Sequence, residues 1–482
     1  MYKKLWYLVL AVGLSMVALY FAPLTGLSAT GQRMLAVLTF IVVVWATEAV
    51  SYPVSALMLL ILMMWAEATG KTSMNTGLKY AVSGFASATP LAVVAATAFA
   101  IVVQKTGLSE RVVYKVLQMV SGGKMVKAKR LLAALFCIEV PLSFMVPSST
   151  GRTAIYLSIA EGLEKPFKFS PVDENGNHTG GNPMQRAIYV IAGVMPAIMG
   201  AAFLTGSEAT MLAGRLISEG TNQPQYWGLT VQYLLLPALI LMAAFYFISC
   251  AVFPSSVDNM SLSFIHDRLE ALGPIKRSEK YVIGVFVCAI LLWITDSINH
   301  IPTEAVLFLM AIALFLPVIG PGNWKKDSKS IAWGSFIVIA VSLSFTTALS
   351  KHGVMKLIAV WLSGLGLTSM LGLLIVLTSV LVILRIAISS HTGATVLFVP
   401  LAIELGKLAG LDTAHVVALA WVTYVFCRAA YLLPQQSSQV ILVYDYGFFT
   451  RKDMFKLGLP LTLAAMVIYI AWGSFVLPFL VH

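Results

Sequence analysis

The chain has 482 residues, 59% of them hydrophobic and only 11% charged, with a net charge of +11 and a mean hydropathy of +0.87. Soluble globular domains carry charge on about a quarter of their residues, so this composition excludes that class and fits a polytopic membrane protein. The cations sit mostly between apolar runs, as the positive-inside rule requires, and no basic patch interleaved with aromatics points to nucleic acid.

The run from Leu5 to Ala22 is long and precedes many more apolar runs, so residues 1–30 are predicted to hold an uncleaved first helix rather than a signal peptide. A first repeat is predicted over 31–254. It begins with the pair Met34–Val50 and Pro53–Trp65, followed by a polar loop with Lys71 and Lys79. A span at Pro90–Val103 and an amphipathic segment, Arg111–Val120, come next. Leu131–Val146 and Ala154–Leu163 are then the legs of a hairpin (131–163). A ten-residue helical leg covers about 15 Å, half the hydrocarbon thickness, and basic residues flank both ends: Lys129 and Arg130 before, Lys165 and Lys168 after. The pattern predicts a re-entrant hairpin rather than one crossing. After a hydrophilic loop with Asp173 and Glu174, a helix over 187–217 is broken at Thr205–Thr210, and Tyr226–Phe253 closes the repeat.

Residues 255–280 are the most charged connector and are predicted to be cytoplasmic. The second repeat, 281–482, follows the same plan. It has a pair at Tyr281–Thr295 and Ala305–Ile319, a span at Ile331–Leu349 and an amphipathic segment ending at Ser363. A hairpin (370–408), a helix over 415–443 broken at Pro434–Ser438, and a last span, Met454–Leu480, complete it. An odd number of crossings per repeat inverts the second copy. The prediction is an all-α inverted repeat of about eleven transmembrane helices and two re-entrant hairpins, N-terminus cytoplasmic and C-terminus outside the cell membrane. Cys137, Cys250, Cys288 and Cys427 lie in apolar stretches without CxxC spacing and read as buried small hydrophobes.

The two hairpin tips share a frame. Ser148-Ser149-Thr150-Gly151-Arg152-Thr153 corresponds to Ser390-His391-Thr392-Gly393-Ala394-Thr395, and Ser121 and Ser363 keep the same separation as Ser149 and His391. Polar interruptions at matching places in both halves point to a binding site. Hydroxyls of Ser148, Ser149, Thr150, Ser390 and Thr392, with the N–H groups of a helix start, suit an anion. Gly151 and Gly393 permit tight backbone and close ligand approach. The alternative for any single hydroxyl is a bond back to its own helix.

The frame resembles the divalent anion/sodium symporter family, citrate/dicarboxylate antiporter branch, whose tips carry paired Ser-Asn-Thr motifs. The resemblance extends to the tail, Val443-Tyr444-Asp445-Tyr446-Gly447-Phe448-Phe449 and Lys456-Leu457-Gly458, and to the duplicated plan of the whole chain. It implies an elevator-type carrier, usually a homodimer, that binds di- or tricarboxylates between the tips and the helix breaks, here at Ser207 and Pro434. The family's central asparagine, which contributes to a sodium site, is Ser149 in one copy and His391 in the other, and Arg152 stands where the second copy has Ala394. A guanidinium stays protonated in protein interiors and repels a neighbouring sodium ion. Arg152, and His391 when protonated, are therefore expected to replace the coupling ion.

Glu208 is placed to pair with Arg152; its repeat counterpart is neutral Gln436. Arg385 and Arg428 read as ties to carbonyls or to carboxylates such as Glu139 or Glu48, or as substrate attractors. The function expected is sodium-independent exchange of carboxylates of the succinate, malate, 2-oxoglutarate and citrate class, with no metal or cofactor. The rivals are a sodium-coupled symporter, a channel, and an intramembrane enzyme, which lacks a nucleophile signature. No GxxxxGK[ST], HExxH or GxGxxG motif supports an ATP-driven pump, a zinc protease or a dinucleotide enzyme.

Overall fold

Capping side chains mark where many of the helices begin in the computed structural model, which describes residues 2–68, 73–121, 125–167, 170, 183–254, 260–261, 263–364, 366 and 368–481. Ser28, Ser87, Ser369 and Asp412 each accept a bond from a backbone N–H in the first turn, satisfying a donor that a helix start leaves free. Lys71, Lys168 and the loop with Asp173 and Glu174 lie outside the described residues.

The helices are α1 (Tyr2–Phe21), α2 (Ala29–Thr47), α3 (Tyr52–Glu67), α4 (Met74–Ala81), α5 (Ala88–Thr106), α6 (Leu108–Ser121), α7 (Ala128–Met145) and α8 (Ser149–Phe167). Next come α9 (Pro183–Ala202), α10 (Glu208–Thr221), α11 (Trp227–Val252), α12 (Ser263–Leu272), α13 (Arg277–Ile294), α14 (Asp296–Asn299), α15 (Thr303–Phe315) and α16 (Trp324–Asp327). The chain continues with α17 (Trp333–Lys351), α18 (Val354–Ser363), α19 (Met370–Leu384), α20 (His391–Leu408), α21 (Thr413–Arg428), α22 (Ser438–Tyr444), α23 (Arg451–Phe475) and α24 (Leu477–Leu480). A two-residue antiparallel pairing, Met125–Val126 with Met260–Ser261, ties the connector to the approach to α7. Among the described residues, seven helices (α1, α2, α5, α9, α11, α17, α23) are long and apolar enough to cross a membrane.

The α7–α8 pair is a hairpin, because the Tyr156 hydroxyl donates to the Leu135 carbonyl at 2.8 Å across antiparallel legs. The legs are longer than the predicted 131–163 and run over 128–167. The break in the second broken helix is also wider than predicted: α21 stops at Arg428 and α22 starts at Ser438, with a short 3₁₀ turn at Pro434–Gln436 between them.

Two of the prolines inside helices are compensated across helix interfaces. A proline withholds the N–H that the carbonyl four residues earlier would accept. Pro196 in α9 frees the Ala192 carbonyl, and Thr153 of α8 donates to it at 3.0 Å. Pro237 in α11 frees the Tyr233 carbonyl, which accepts from the Trp472 indole at 2.7 Å. Thr395, the counterpart of Thr153, instead bonds back to His391 of its own helix.

The cysteine expectation is corrected. Only Cys427 is buried, Cys250 is half-buried, and Cys137 and Cys288 are exposed on outward helix faces. In a membrane protein, apolar sequence surroundings do not separate a core position from a lipid-facing one.

Candidate functional site

Each hairpin tip is a short non-helical link closed by a serine. At the first, Pro147 pushes Val146 into extended backbone, and the Ser148 Oγ accepts from the Gly151 N–H at 3.1 Å. At the second, the Ser390 Oγ accepts from the Gly393 N–H at 3.0 Å. The matched serines are thus the N-caps of the two return helices. Each hydroxyl keeps its own proton to donate.

The tips converge. One cavity of about 370 Å³ is lined by Thr150 of the first tip and by Ser389, Ser390, His391 and Thr392 of the second. Glu208, Ser438 and Gln439, from the two helix breaks, line it too, as do Glu48, which follows α2, and Tyr52 and Ser335 of α3 and α17. A smaller recess continues from it, bounded by Ser148, Ser149, Ser207 and Arg428. Ser207 is the N-cap of α10, accepting from the Thr210 N–H at 3.2 Å.

Behind the tips lie three buried guanidiniums. Arg152 donates to the carbonyls of Val146 (2.6 Å), Gly206 (2.8 Å) and Pro196 (2.7 Å), and its Nε lies 2.8 Å from Glu139 Oε1. Both side chains of this pair are fully buried, and Ser143 donates to the same carboxylate. Arg428 donates to Ser207 Oγ (2.6 Å), Ser149 Oγ (2.9 Å) and the carbonyls of Ala197 (3.0 Å) and Pro196 (3.3 Å). Arg385 donates to the carbonyls of Ile388, Ser390 (3.2 Å) and Gln436 (2.7 Å), and lies 3.2 Å from His391 Nδ1. In both halves, therefore, a guanidinium ties tip carbonyls to a carbonyl of the neighbouring helix break.

Several sequence-based expectations change here. Arg152 pairs with Glu139, not Glu208, because the antiparallel legs bring Glu139 of α7 alongside the start of α8. Glu208 instead faces the cavity, whose lining it shares with Ser335. Gly151 and Gly393 do not border the cavity. A Cβ at Gly151 would lie 3.2 Å from Val146 Cγ1 and 3.5 Å from Gln104 Nε2, and one at Gly393 would lie 3.2 Å from the Trp45 ring. The glycines thus admit close passage of α5 and α2 rather than ligand approach. Pro434 is buried in its turn and lies outside the lining, where Ser438 and Gln439 stand instead. Among the described residues no cluster of His, Cys, Asp and Glu is arranged to hold a metal.

An all-helical apolar chain in which two hairpin tips and two broken helices surround one polar cavity has the build of a secondary transporter. Comparison with known proteins agrees. The chain belongs to the sodium:sulfate symporter transmembrane family, whose model matches residues 2–481, and it is a multi-pass membrane transporter, not an enzyme. A "membrane protein" of Cupriavidus necator is 27% identical over 97% of this chain and 91% of its own length. The L-tartrate/succinate antiporters of Shigella flexneri and Escherichia coli K12 are each 25% identical over 83% of this chain and 81% of theirs. Among solved structures, the YdaH transporter of Alcanivorax borkumensis shares the fold, with a TM-score of 0.58, 14% identity, and coverage of 89% of this chain and 97% of that one.

Proposed function

We propose that the chain exchanges small di- or tricarboxylates (the succinate, malate, 2-oxoglutarate and citrate class) across the cytoplasmic membrane without sodium. In this reading it is an inverted-repeat elevator, two repeats over 31–254 and 281–482, working as a homodimer with the N-terminus inside and the C-terminus outside. One observation carries it: both hydroxyl-bearing tips face a single cavity of about 370 Å³, within the range of small-ligand sites, with guanidiniums seated behind both tips. The antiporter names of two relatives point the same way.

Sodium independence rests on the tip carbonyls. A carbonyl already accepting from a guanidinium is poorly placed to coordinate a sodium ion, and the fixed positive charge repels one. At the first tip Arg152 occupies the Val146 and Gly206 carbonyls, its charge offset by Glu139; at the second, the repelling positive charge lies at the Arg385–His391 contact.

Purified protein in vesicles preloaded with succinate is expected to take up labelled succinate or L-tartrate equally well in sodium and in choline buffers, and to take up little when the vesicles are empty. A steep sodium requirement with empty vesicles would instead support a sodium-coupled symporter. Thr150→Val and Thr392→Val keep size but delete a donor to the carboxylate. Each is expected to weaken binding by about 1–3 kcal/mol, the usual loss for a hydrogen bond to a charged group, measured by equilibrium binding. Unchanged affinity in both variants would assign these hydroxyls to helix packing.

A further inference from the structure

The second tip holds two nitrogen bases in contact, Arg385 and His391, and the direction of their hydrogen bond follows from elementary chemistry. A guanidinium has donors only. The 3.2 Å contact from Arg385 Nη2 to His391 Nδ1 is therefore a bond only if Nδ1 carries no proton. The ring's remaining proton then sits on Nε2, which lies 3.2 Å from Gln439 Oε1. That oxygen also accepts from the Ser437 hydroxyl, so the Gln439 amide group points the other way and donates to Thr150 Oγ1 at 3.5 Å. The competing arrangement, Nδ1–H donating to the Cys427 carbonyl at 3.4 Å, would set a ring proton against the guanidinium.

We infer that Arg385, not His391, carries the permanent positive charge of the second tip, and that it fixes His391 as a neutral one-way donor in a chain running from Arg385 through His391 and Gln439 to Thr150. Thr150 belongs to the other hairpin, so the chain joins the two tips across the site. Its polarity matters to a ligand. Because Thr150 Oγ1 accepts from Gln439, its own proton is free to point into the cavity, where an ionised carboxylate accepts it and a protonated carboxyl competes poorly. Arg385 is a positioning residue in this scheme, held by the Gln436, Ser390 and Ile388 carbonyls. The other charged or titratable groups around His391 are Arg428 and Cys427 of α21, together with Glu48, Tyr52 and Glu208 at the cavity wall.

The inference deepens the carboxylate-exchange reading but is tested without it. Full-length protein labelled with ¹⁵N-histidine is compared by solid-state NMR with its His391→Gln derivative, which identifies the His391 signals, at about pH 8 and about pH 5.5, either side of the ordinary histidine range. The wild type and Arg385→Lys are expected to show the neutral Nε2–H ring at both values. Arg385→Gln, whose amide accepts as well as donates, is expected to show imidazolium at the lower one. Imidazolium or an Nδ1–H ring in the wild type overturns the inference, and so does an Arg385→Gln spectrum unchanged from wild type. If Arg385→Gln does not fold, the wild-type ring form alone decides. L-tartrate binding is the second readout, since both its carboxyls are ionised across this range. Subtracting each protein's His391→Gln derivative removes the contributions of Glu48 and Glu208. Arg385→Gln should then bind at least tenfold more weakly at the higher pH and recover several-fold on acidification, while the wild type and Arg385→Lys stay flat. Absence of any dicarboxylate binding by the wild type would sink the functional reading and leave the NMR result to judge this one.

Discussion

Glu139→Leu is expected to abolish exchange and to destabilise the protein by about 3–5 kcal/mol, the usual consequence of leaving one member of a buried ion pair without its partner. Glu139 and Arg152 are both fully buried at 2.8 Å. Arg152 also holds three carbonyls that belong to the first tip, its break and α9. Without Glu139 its charge has only those dipoles, and the tip is the element that must give. Adding Arg152→Met to Glu139→Leu replaces the pair with apolar side chains of similar volume, which is often neutral for stability. The double variant is therefore expected to melt close to wild type yet remain inactive, because nothing then draws the Val146 and Gly206 carbonyls together. Thermal unfolding and vesicle exchange of the single and double variants measure this. A single variant as stable as wild type would mean the pair contributes nothing, and an active double variant would remove Arg152 from the mechanism.

The places where the chain turns and its helices break are legible in the sequence because hydroxyls, glycine or proline interrupt strongly apolar runs there, twice and in register; that the two tips meet comes only from the family resemblance. The partner of Arg152 was also within reach. Once the legs are taken as antiparallel about Pro147, a carboxylate two turns before the tip falls opposite a base one turn after it, which is Glu139. Glu208 is the nearer choice in sequence terms because it sits in the neighbouring break, but the Ser207 cap turns the first residue of α10 toward α17 and the cavity. The role of Arg428 was not legible. Its partners, Ser149, Ser207, Pro196 and Ala197, come from the first half of the chain and it comes from the second, so only the packing of α21 on α9 and α10 brings them together. Gln439 is illegible for the same reason, and Glu48, read as a tie for Arg385 or Arg428, lines the cavity instead. Where Gly151 and Gly393 pack is not legible, because an apolar chain does not announce which side of a helix meets another helix.

Arg428→Gln is expected to turn a strict exchanger into one with substantial net flux, and the reason lies in the charges that remain once pairs are struck out. Arg152 is neutralised by Glu139. Among the described residues, Arg385 and Arg428 are held by carbonyls, hydroxyls and an imidazole, and neither forms an ion pair. Two positive charges without carboxylate partners match a dicarboxylate. On the elevator reading, the loaded binding domain then crosses the bilayer nearly neutral, whereas the unloaded one carries two charges. The cost of burying charge in a low-dielectric medium grows with its square, so the unloaded return is the step that fails, and exchange is obligatory without a coupling ion. In the Arg428→Gln variant one positive charge remains. The loaded form becomes net −1 and the unloaded form net +1, and the two costs become equal. Substrate binding weakens in this variant, so the comparison is made at saturating substrate, as the ratio of efflux into carboxylate-free medium to efflux in exchange. That ratio is expected to rise at least tenfold toward one, while Arg428→Lys stays strict. Glu208→Gln fixes that cavity carboxylate as uncharged and is expected to leave the ratio where it was; a large change there would show that Glu208 is ionised and that the charge count is wrong. An Arg428→Gln protein that still moves carboxylate, yet only in exchange, would mean that something other than unpaired charge holds the unloaded carrier in place.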